Sequence, residues 1–238
     1  MTVILVRHGR STANTSGTLA GRSAGIDLDD LGREQAEGLV GRLADLDIAA
    51  IVRSPLLRCE RTVAPLAEKF GLVPLVDDAL VEVDYGQWTG RPIKDLLGEP
   101  LWKVVQQHPS AAVFPEGEGI AQVQARAVAA VRAHDARLAA EHERDVLWIA
   151  CSHGDVIKSV LADALGTHLD AFQRIVAEPA SVSVVRYTPT RPFVLKMNDT
   201  GSDLSGLRGH GGKPAGVAAS EAVPGGEVGT GGRADNGS

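Results

Sequence analysis

Short apolar runs alternate with amphipathic segments over roughly the first 200 residues of the chain. Four of the runs are rich in β-branched residues and are typical of strands buried on both faces; they are residues 3–6, 48–52, 146–150 and 182–185. Apolar residues at helical spacing lie between them, in residues 36–43, 120–131 and 156–164. Strands that alternate with helices predict an α/β fold, a three-layer α/β/α sandwich around a mostly parallel sheet.

A further helix is predicted around residues 56–70. Ser54 is expected to cap its N-terminus, with Pro55 in the first turn. Pro65 lies inside the same segment and is expected to kink the helix or split it, because proline cannot donate the backbone hydrogen bond.

Glycine is concentrated at the C-terminal end of the 238-residue chain. Residues 201–238 hold 12 of the 27 glycines and contain no aromatic residue. Such a segment cannot bury enough apolar surface to offset its chain entropy. We therefore predict one folded domain over residues 1–200, followed by a Gly-rich disordered tail over residues 201–238.

Charge and cysteine content exclude several classes of protein. The formal net charge of −6 argues against a general nucleic-acid binder, which needs a basic surface. No apolar run is long enough for a membrane span, and the first residues lack the layout of a secretory signal. Two cysteines cannot form a disulfide framework and suit a reducing compartment. These features together predict a soluble cytoplasmic protein.

Three charged motifs each follow a predicted strand directly. Arg7 and His8 come after the first strand, Arg58 lies shortly after the second, and His153 follows the run at 146–150. In open α/β sheets, ligands bind at the carboxyl ends of the strands. Two guanidinium groups and two imidazoles at one edge of a sheet predict an oxyanion site, and phosphate is the obvious anion.

This set of residues suits phosphoryl transfer. One histidine would attack phosphorus with an unprotonated ring nitrogen, and the cations would stabilise charge on the phosphoryl oxygens. The leaving alkoxide needs a proton from a carboxylic acid. Glu82 is the leading candidate because aromatic residues adjoin it and desolvation could raise its pKa; Asp84 is the second candidate.

Several motifs, in this order along the chain, resemble those of the histidine phosphatase superfamily, in its phosphoglycerate-mutase-like branch. The signature is Arg7-His8-Gly9-Arg10-Ser11-Thr12-Ala13-Asn14. The other matching segments are residues 21–27, 31–36, 54–58, 80–90 and 151–154. The resemblance covers nearly all of residues 1–190 and implies a phosphoglycerate-mutase-like fold.

The resemblance also implies roles for individual residues. His8 would be the phosphohistidine nucleophile and Glu82 the proton donor. The phosphate pocket would comprise Arg7, Arg58 and His153, with Asn14 as a further phosphate contact. The family needs no metal and no nucleotide cofactor, so the expected partner is a small-molecule phosphomonoester.

Three functions stay open at this stage. The leading hypothesis is an acid phosphatase-like hydrolase of small phosphomonoesters; the second is a cofactor-dependent phosphoglycerate mutase. In mutases of this type the loop with the proton-donating acid resembles Glu-Arg-His-Tyr-Gly. This chain has Glu82-Val83-Asp84-Tyr85-Gly86 in this acid loop and few basic residues between it and Pro115. The third is a non-catalytic binder of phosphorylated ligands, against which the intact His8 and Glu82 argue.

Residues 85–118 are expected either to determine which substrate the protein accepts or to form a contact between subunits. The segment contains two tryptophans, a phenylalanine and several prolines. It could form an apolar wall beside the substrate, or the contact surface of a homo-oligomer.

Overall fold

A six-stranded sheet lies at the centre of the computed structural model, which describes residues 1–201 and 224–225. The strands are β1 (Thr2–Arg7), β2 (Ile48–Arg53), β3 (Leu75–Val76), β4 (Leu147–Ser152), β5 (Val182–Tyr187) and β6 (Pro192–Asp199). The α-helices are α1 (Thr12–Ser16), α2 (Asp30–Leu43), α3 (Leu57–Phe70), α4 (Ile93–Leu96), α5 (Pro100–Gln107), α6 (Ile120–His142) and α7 (Gly154–Ala164). The predicted disordered tail falls, apart from Gly201, Pro224 and Gly225, outside the described residues.

The sheet is mostly parallel, as predicted. The strand order is β3-β2-β4-β1-β5-β6, and the first four strands in that order are parallel to one another. Strand β5 pairs antiparallel with β1, and β6 pairs antiparallel with β5. The order places β2, β4 and β1 side by side, so their carboxyl ends lie next to each other.

Two apolar layers cover the sheet and confirm the three-layer architecture. Val3 and Leu5 of β1 belong to a core cluster that contains apolar residues of α6 and α7. Ile4 and Val6 belong to a second cluster with residues of α2 and α3. Because successive strand residues point to opposite faces, a strand covered on both sides needs a continuous apolar run. None of the helices in residues 1–201 is long and apolar enough to cross a bilayer.

Helix α3 lies where it was predicted, but its N-terminal cap differs. Its N-cap position is Leu56, which has no side-chain cap, and the helix runs unsplit through Pro65. The prediction that Ser54 caps this helix is wrong. The Ser54 side chain instead lies 2.7 Å from Nε2 of His153, 99 residues further along the chain.

The aromatic residues of segment 85–118 lie inside the protein. Trp88, Trp102 and Phe114 are all buried. The Trp88 ring stacks on Trp102, with centroids 6.3 Å apart, and packs edge-on against Phe114 at 5.3 Å. These three side chains are therefore part of the core and present no wall to a substrate and no surface to a partner.

The loop after β1 lies unusually close to the start of α2. A Cβ atom added at Gly32 would overlap the carbonyl oxygen of Arg10, and one added at Gly9 would lie 2.6 Å from the Gly32 carbonyl oxygen. The backbone N–H of Arg10 also donates to Oε1 of Gln35 at 2.8 Å. Helix α2 thus holds the backbone on the C-terminal side of His8 in place.

This close approach predicts opposite effects for two glycines of α2. Gly32→Ala should lower the free energy of unfolding by about 1–3 kcal/mol, because the added methyl overlaps backbone that cannot easily move. Gly38→Ala should raise it by up to about 1 kcal/mol, because nothing lies within 4 Å of the new Cβ and alanine favours the helix. Urea unfolding of both variants measures the difference, and a Gly32→Ala protein as stable as the Gly38→Ala protein would contradict the packing described.

Candidate active site

Four of the side chains predicted for the site converge at the carboxyl ends of β1, β4 and β2. Arg7 ends β1 and His8 follows it, His153 follows β4, and Arg58 lies in the first turn of α3 after β2. Each of these side chains is at most 3% exposed. The three neighbouring strands thus place two arginines and two histidines in one buried pocket.

Two hydrogen bonds determine which nitrogen of His8 carries the proton. Nδ1 lies 2.7 Å from the carbonyl oxygen of Gly9, which only accepts hydrogen bonds, so Nδ1 is protonated. Nε of Arg58 donates to Nε2 of His8 at 3.2 Å, so Nε2 holds a lone pair. The imidazole therefore presents an unprotonated Nε2 to the pocket.

The backbone around His8 is fixed by neighbouring elements. The His8 N–H donates to the carbonyl oxygen of Ser152 at the end of β4, at 3.0 Å. The Gly9 N–H donates to Oγ1 of Thr62 at 2.9 Å, and that hydroxyl donates to the Arg58 carbonyl oxygen at 2.7 Å. The loop with His8 and the helix with Arg58 are thereby joined through Thr62.

Ser54 orients the second histidine. Its oxygen accepts a long hydrogen bond from the Leu56 N–H at 3.4 Å and lies 2.7 Å from Nε2 of His153, and we assign the hydroxyl hydrogen to that nitrogen. In that arrangement Nδ1 of His153 carries the proton. The rings of His8 and His153 lie 5.2 Å apart between centroids, so a small group fits between them.

Two buried nitrogen donors of the pocket have no hydrogen-bond partner among the described residues. They are Nδ1 of His153 and Nη1 of Arg58. The other nitrogens of Arg58 are used, since Nη2 donates to the Gly21 carbonyl oxygen at 2.8 Å and Nε donates to His8. Buried donors without partners are costly, so these two nitrogens indicate a place for a polyanionic ligand.

Burial and positive charge keep both histidines neutral. Desolvation lowers the pKa of His8 well below its usual 6.5, and the charges of Arg58 and Arg7 lower it further. The pKa of His153 is lowered in the same way, first by burial and then by Arg58. At neutral pH, Nε2 of His8 therefore keeps its lone pair.

Glu82 lies in the same pocket, where its surroundings favour the protonated carboxyl group more than water does. Oε2 is 4.0 Å from Nδ1 of His153, and Oε1 accepts a hydrogen bond from the Val83 N–H at 2.9 Å. Burial and the negative charge of Asp155 raise its pKa from 4.5 to about 7, while Arg58 opposes the shift. A carboxyl group with this pKa holds a proton near neutral pH and can also release it.

Asp84, the second candidate acid, lies outside the pocket. Its side chain is 40% exposed and lies 3.7 Å from Nη1 of Arg22. Arg22 also donates to the Glu82 carbonyl oxygen at 2.9 Å and to Glu118 at 2.7 Å. Asp84 and Glu118 therefore stabilise the loop that carries Glu82 rather than facing the pocket.

Asn14 lines the pocket, but its side chain has a structural task. Oδ1 accepts hydrogen bonds from the backbone N–H and the hydroxyl of Ser11, at 3.0 and 2.8 Å, which form the N-terminal cap of α1. A phosphate contact would have to come from its amide nitrogen.

Two side chains below the pocket were not singled out as site residues in the sequence. Asp155 is fully buried, and Oδ2 accepts a hydrogen bond from the Tyr85 hydroxyl at 2.8 Å. Burial and the Asp155 charge raise the pKa of that hydroxyl well above 10. Tyr85 lies inside one of the matching segments and Asp155 directly follows another, but only the fold shows that they meet.

Gly225 occupies part of the pocket. Its carbonyl oxygen accepts a hydrogen bond from Nη2 of Arg7 at 3.1 Å, and its N–H donates to Oδ2 of Asp155 at 2.9 Å. The space left beside it is about 20 Å³, enough for about one water molecule. A larger open groove of about 760 Å³ lies between α2 and α3, but the histidines do not line it.

Known proteins match this chain over most of its length. The family model of the histidine phosphatase superfamily, branch 1, matches residues 3–200. Phosphoserine phosphatase 1 of Hydrogenobacter thermophilus is 28% identical over 204 residues, which cover 83% of this chain and 92% of that protein. A probable phosphoglycerate mutase, GpmB, of Yersinia pestis is 30% identical over 187 residues, 78% of this chain and 84% of that protein.

A solved structure shares the fold over most of both chains. It is the mycobacterial glucosyl-3-phosphoglycerate phosphatase with VO3, which is 25% identical with a TM-score of 0.74. The match covers 83% of this chain and 98% of the other.

The raised pKa of Glu82 predicts a pH-dependent effect on stability. Between about pH 4.5 and 7 the folded protein retains a proton that the unfolded chain releases, so this group's contribution to stability falls as pH rises. Glu82→Gln removes the titration, and its free energy of unfolding should rise relative to the parent by on the order of 2–3 kcal/mol from pH 5 to pH 8. Chemical unfolding at both values measures this, and a difference independent of pH would contradict it.

Proposed function

The chain belongs to the histidine phosphatase superfamily, and from that premise we propose that it hydrolyses small phosphomonoesters through a phosphohistidine on His8, with Glu82 as proton donor. The observation that carries the proposal is the pair of buried donors without partners, Nδ1 of His153 and Nη1 of Arg58, beside the unprotonated Nε2 of His8. A phosphate dianion supplies acceptors for both donors and an electrophile for the lone pair.

In the first step, Nε2 of His8 attacks phosphorus and the bond to the ester oxygen breaks. Glu82 gives its proton to the departing oxygen, so an alcohol leaves rather than an alkoxide. The positive charges of Arg7 and Arg58 stabilise the negative charge on the phosphoryl oxygens. Nε of Arg58, which donates to Nε2 of His8 before the substrate binds, turns to the phosphate.

In the second step, water attacks phosphorus and the nitrogen–phosphorus bond breaks. The ionised Glu82 takes a proton from the water, and the lone pair returns to Nε2 of His8. Inorganic phosphate leaves and the site regains its starting charge. One carboxyl group with a pKa of about 7 can serve in both directions.

Residues near the acid loop favour transfer of the phosphoryl group to water over its return to the substrate. The position after Glu82 is Val83, which is buried, where phosphoglycerate mutases carry an arginine. Arg91, one of the few basic residues between Glu82 and Pro115, donates to Glu99 at 2.8 Å. Relatives are named for phosphoserine and for glucosyl-3-phosphoglycerate, so we propose small phosphomonoesters as the substrate class.

The proposed enzyme works in a reducing compartment, which we take to be the cytoplasm. Cys59 and Cys151 are both buried and neither forms a disulfide. Sγ of Cys59 lies 3.6 Å from Nε2 of His153, so oxidation there would disturb the site.

Replacing the nucleophile tests the proposal directly. His8→Ala should lower the hydrolysis of p-nitrophenyl phosphate at least about 1000-fold, because no other unprotonated nitrogen faces the pocket in the same way. His108→Ala is the matched control, since His108 is largely exposed and lies beside Asp170, away from the pocket. A His8→Ala protein that released phosphate at the parent rate would rule out the proposed mechanism.

A further inference from the structure

Asp155 lies two residues after His153, in the first turn of α7, and its carboxylate is fully buried. Its two oxygens have different neighbours. Oδ1 lies 3.4 Å from Nζ of Lys158, which is itself held by Oε1 of Gln173 at 2.6 Å. Oδ2 accepts from the Tyr85 hydroxyl below the pocket and from the N–H of Gly225, which lines the pocket.

Gly225 contacts two oppositely charged side chains of the pocket at once. The carbonyl oxygen of the residue is an acceptor held by Arg7, and its N–H is a donor held by Asp155. A phosphomonoester can present the same pair of groups, with a phosphate oxygen on Arg7 and a donor on the carbon chain that reaches Asp155. The glycine therefore occupies a two-point subsite in which one point is cationic and the other anionic.

The negative charge of Asp155 also extends into the pocket. It raises the pKa of Glu82, even though Lys158 lies beside the other carboxylate oxygen. A second anionic group on the substrate would meet this charge in a water-poor site, where like charges repel strongly.

We propose that Asp155 is a specificity-determining residue, whose carboxylate accepts a hydrogen bond from an ammonium or hydroxyl group next to the substrate's phosphate and disfavours a carboxylate there. This inference rests on the proposed phosphatase function. It narrows the substrate class to phosphomonoesters that carry a hydrogen-bond donor near the ester oxygen. Gly225 has to leave before such a substrate enters, since the free space is about 20 Å³.

Three two-carbon phosphomonoesters test the proposal with the full chain. Phosphoethanolamine carries an ammonium group, ethyl phosphate carries no polar substituent, and phosphoglycolate carries a carboxylate. We expect kcat/KM to decrease in that order, with at least about a tenfold ratio between the first and the last. Attraction of the ammonium group by Asp155 and repulsion of the carboxylate, each of modest strength, would together produce such a ratio. Gly225 competes equally with all three, so it does not alter the ratio.

Asp155→Asn keeps the size of the side chain and removes its charge. The ratio of kcat/KM between phosphoethanolamine and phosphoglycolate should then fall to within about twofold. Asp163→Asn is the matched control: Asp163 lies on the same helix and pairs with Arg132 at 3.1 Å on the surface, so the ratio should stay at the parent value.

If Asp155→Asn does not fold, the three esters still test the role of Asp155 in the unmodified protein. Equal or faster hydrolysis of phosphoglycolate by the parent overturns the role of Asp155 and leaves the phosphatase function standing. If the parent hydrolyses none of the three esters, its hydrolysis of p-nitrophenyl phosphate decides whether the proposed function fails. Calorimetry of the binding of the three esters to the same protein then tests the subsite. Tighter binding of phosphoethanolamine then supports the subsite, and equal or weaker binding overturns it.

Discussion

Burying the guanidinium groups of Arg7 and Arg58 removes two positive charges from water, at a cost of several kcal/mol per group unless polar partners replace the solvent. Carbonyl oxygens supply part of the replacement, from Ala177 to Arg7 and from Gly21 to Arg58, at 2.7 and 2.8 Å. Carbonyl groups are dipoles without net charge and do not neutralise the charges of the arginines. An anion between the two arginines neutralises them, which makes the pocket selective for phosphate-like groups.

The same two charges determine the protonation of their neighbours. A protonated imidazole at His8 would add a third buried positive charge, so the lone pair on Nε2 is maintained by electrostatics as well as by the hydrogen bond from Nδ1 to Gly9. Glu82 experiences opposing effects, because burial and Asp155 favour its protonated form while the arginines favour its ionised form. The balance leaves a pKa of about 7, which suits a group that must give a proton and take one back.

Much of this arrangement was predictable because it depends on local patterns. The buried run before Arg7 and His8 indicated a parallel strand, and ligands bind where such strands end. Local sequence patterns could not predict that β2, β4 and β1 lie side by side, since strand order is set by packing between distant segments. Ser54 illustrates the limit: Ser-Pro before a helix is a capping signal, but a hydrogen bond to His153, 99 residues away, determines its role. Gly225 reaches Arg7 across 218 residues, with no local signal for the contact.

The most direct test of the proposed mechanism is to locate the phosphoryl group during turnover. The full chain is mixed with a phosphomonoester, quenched within milliseconds under alkaline conditions that preserve phosphohistidine, digested, and its peptides sequenced by mass spectrometry. We expect phosphate on His8, because its Nε2 combines a lone pair with a position beside Arg58. Phosphate on His153 instead, or turnover without any phosphorylated histidine, would contradict it.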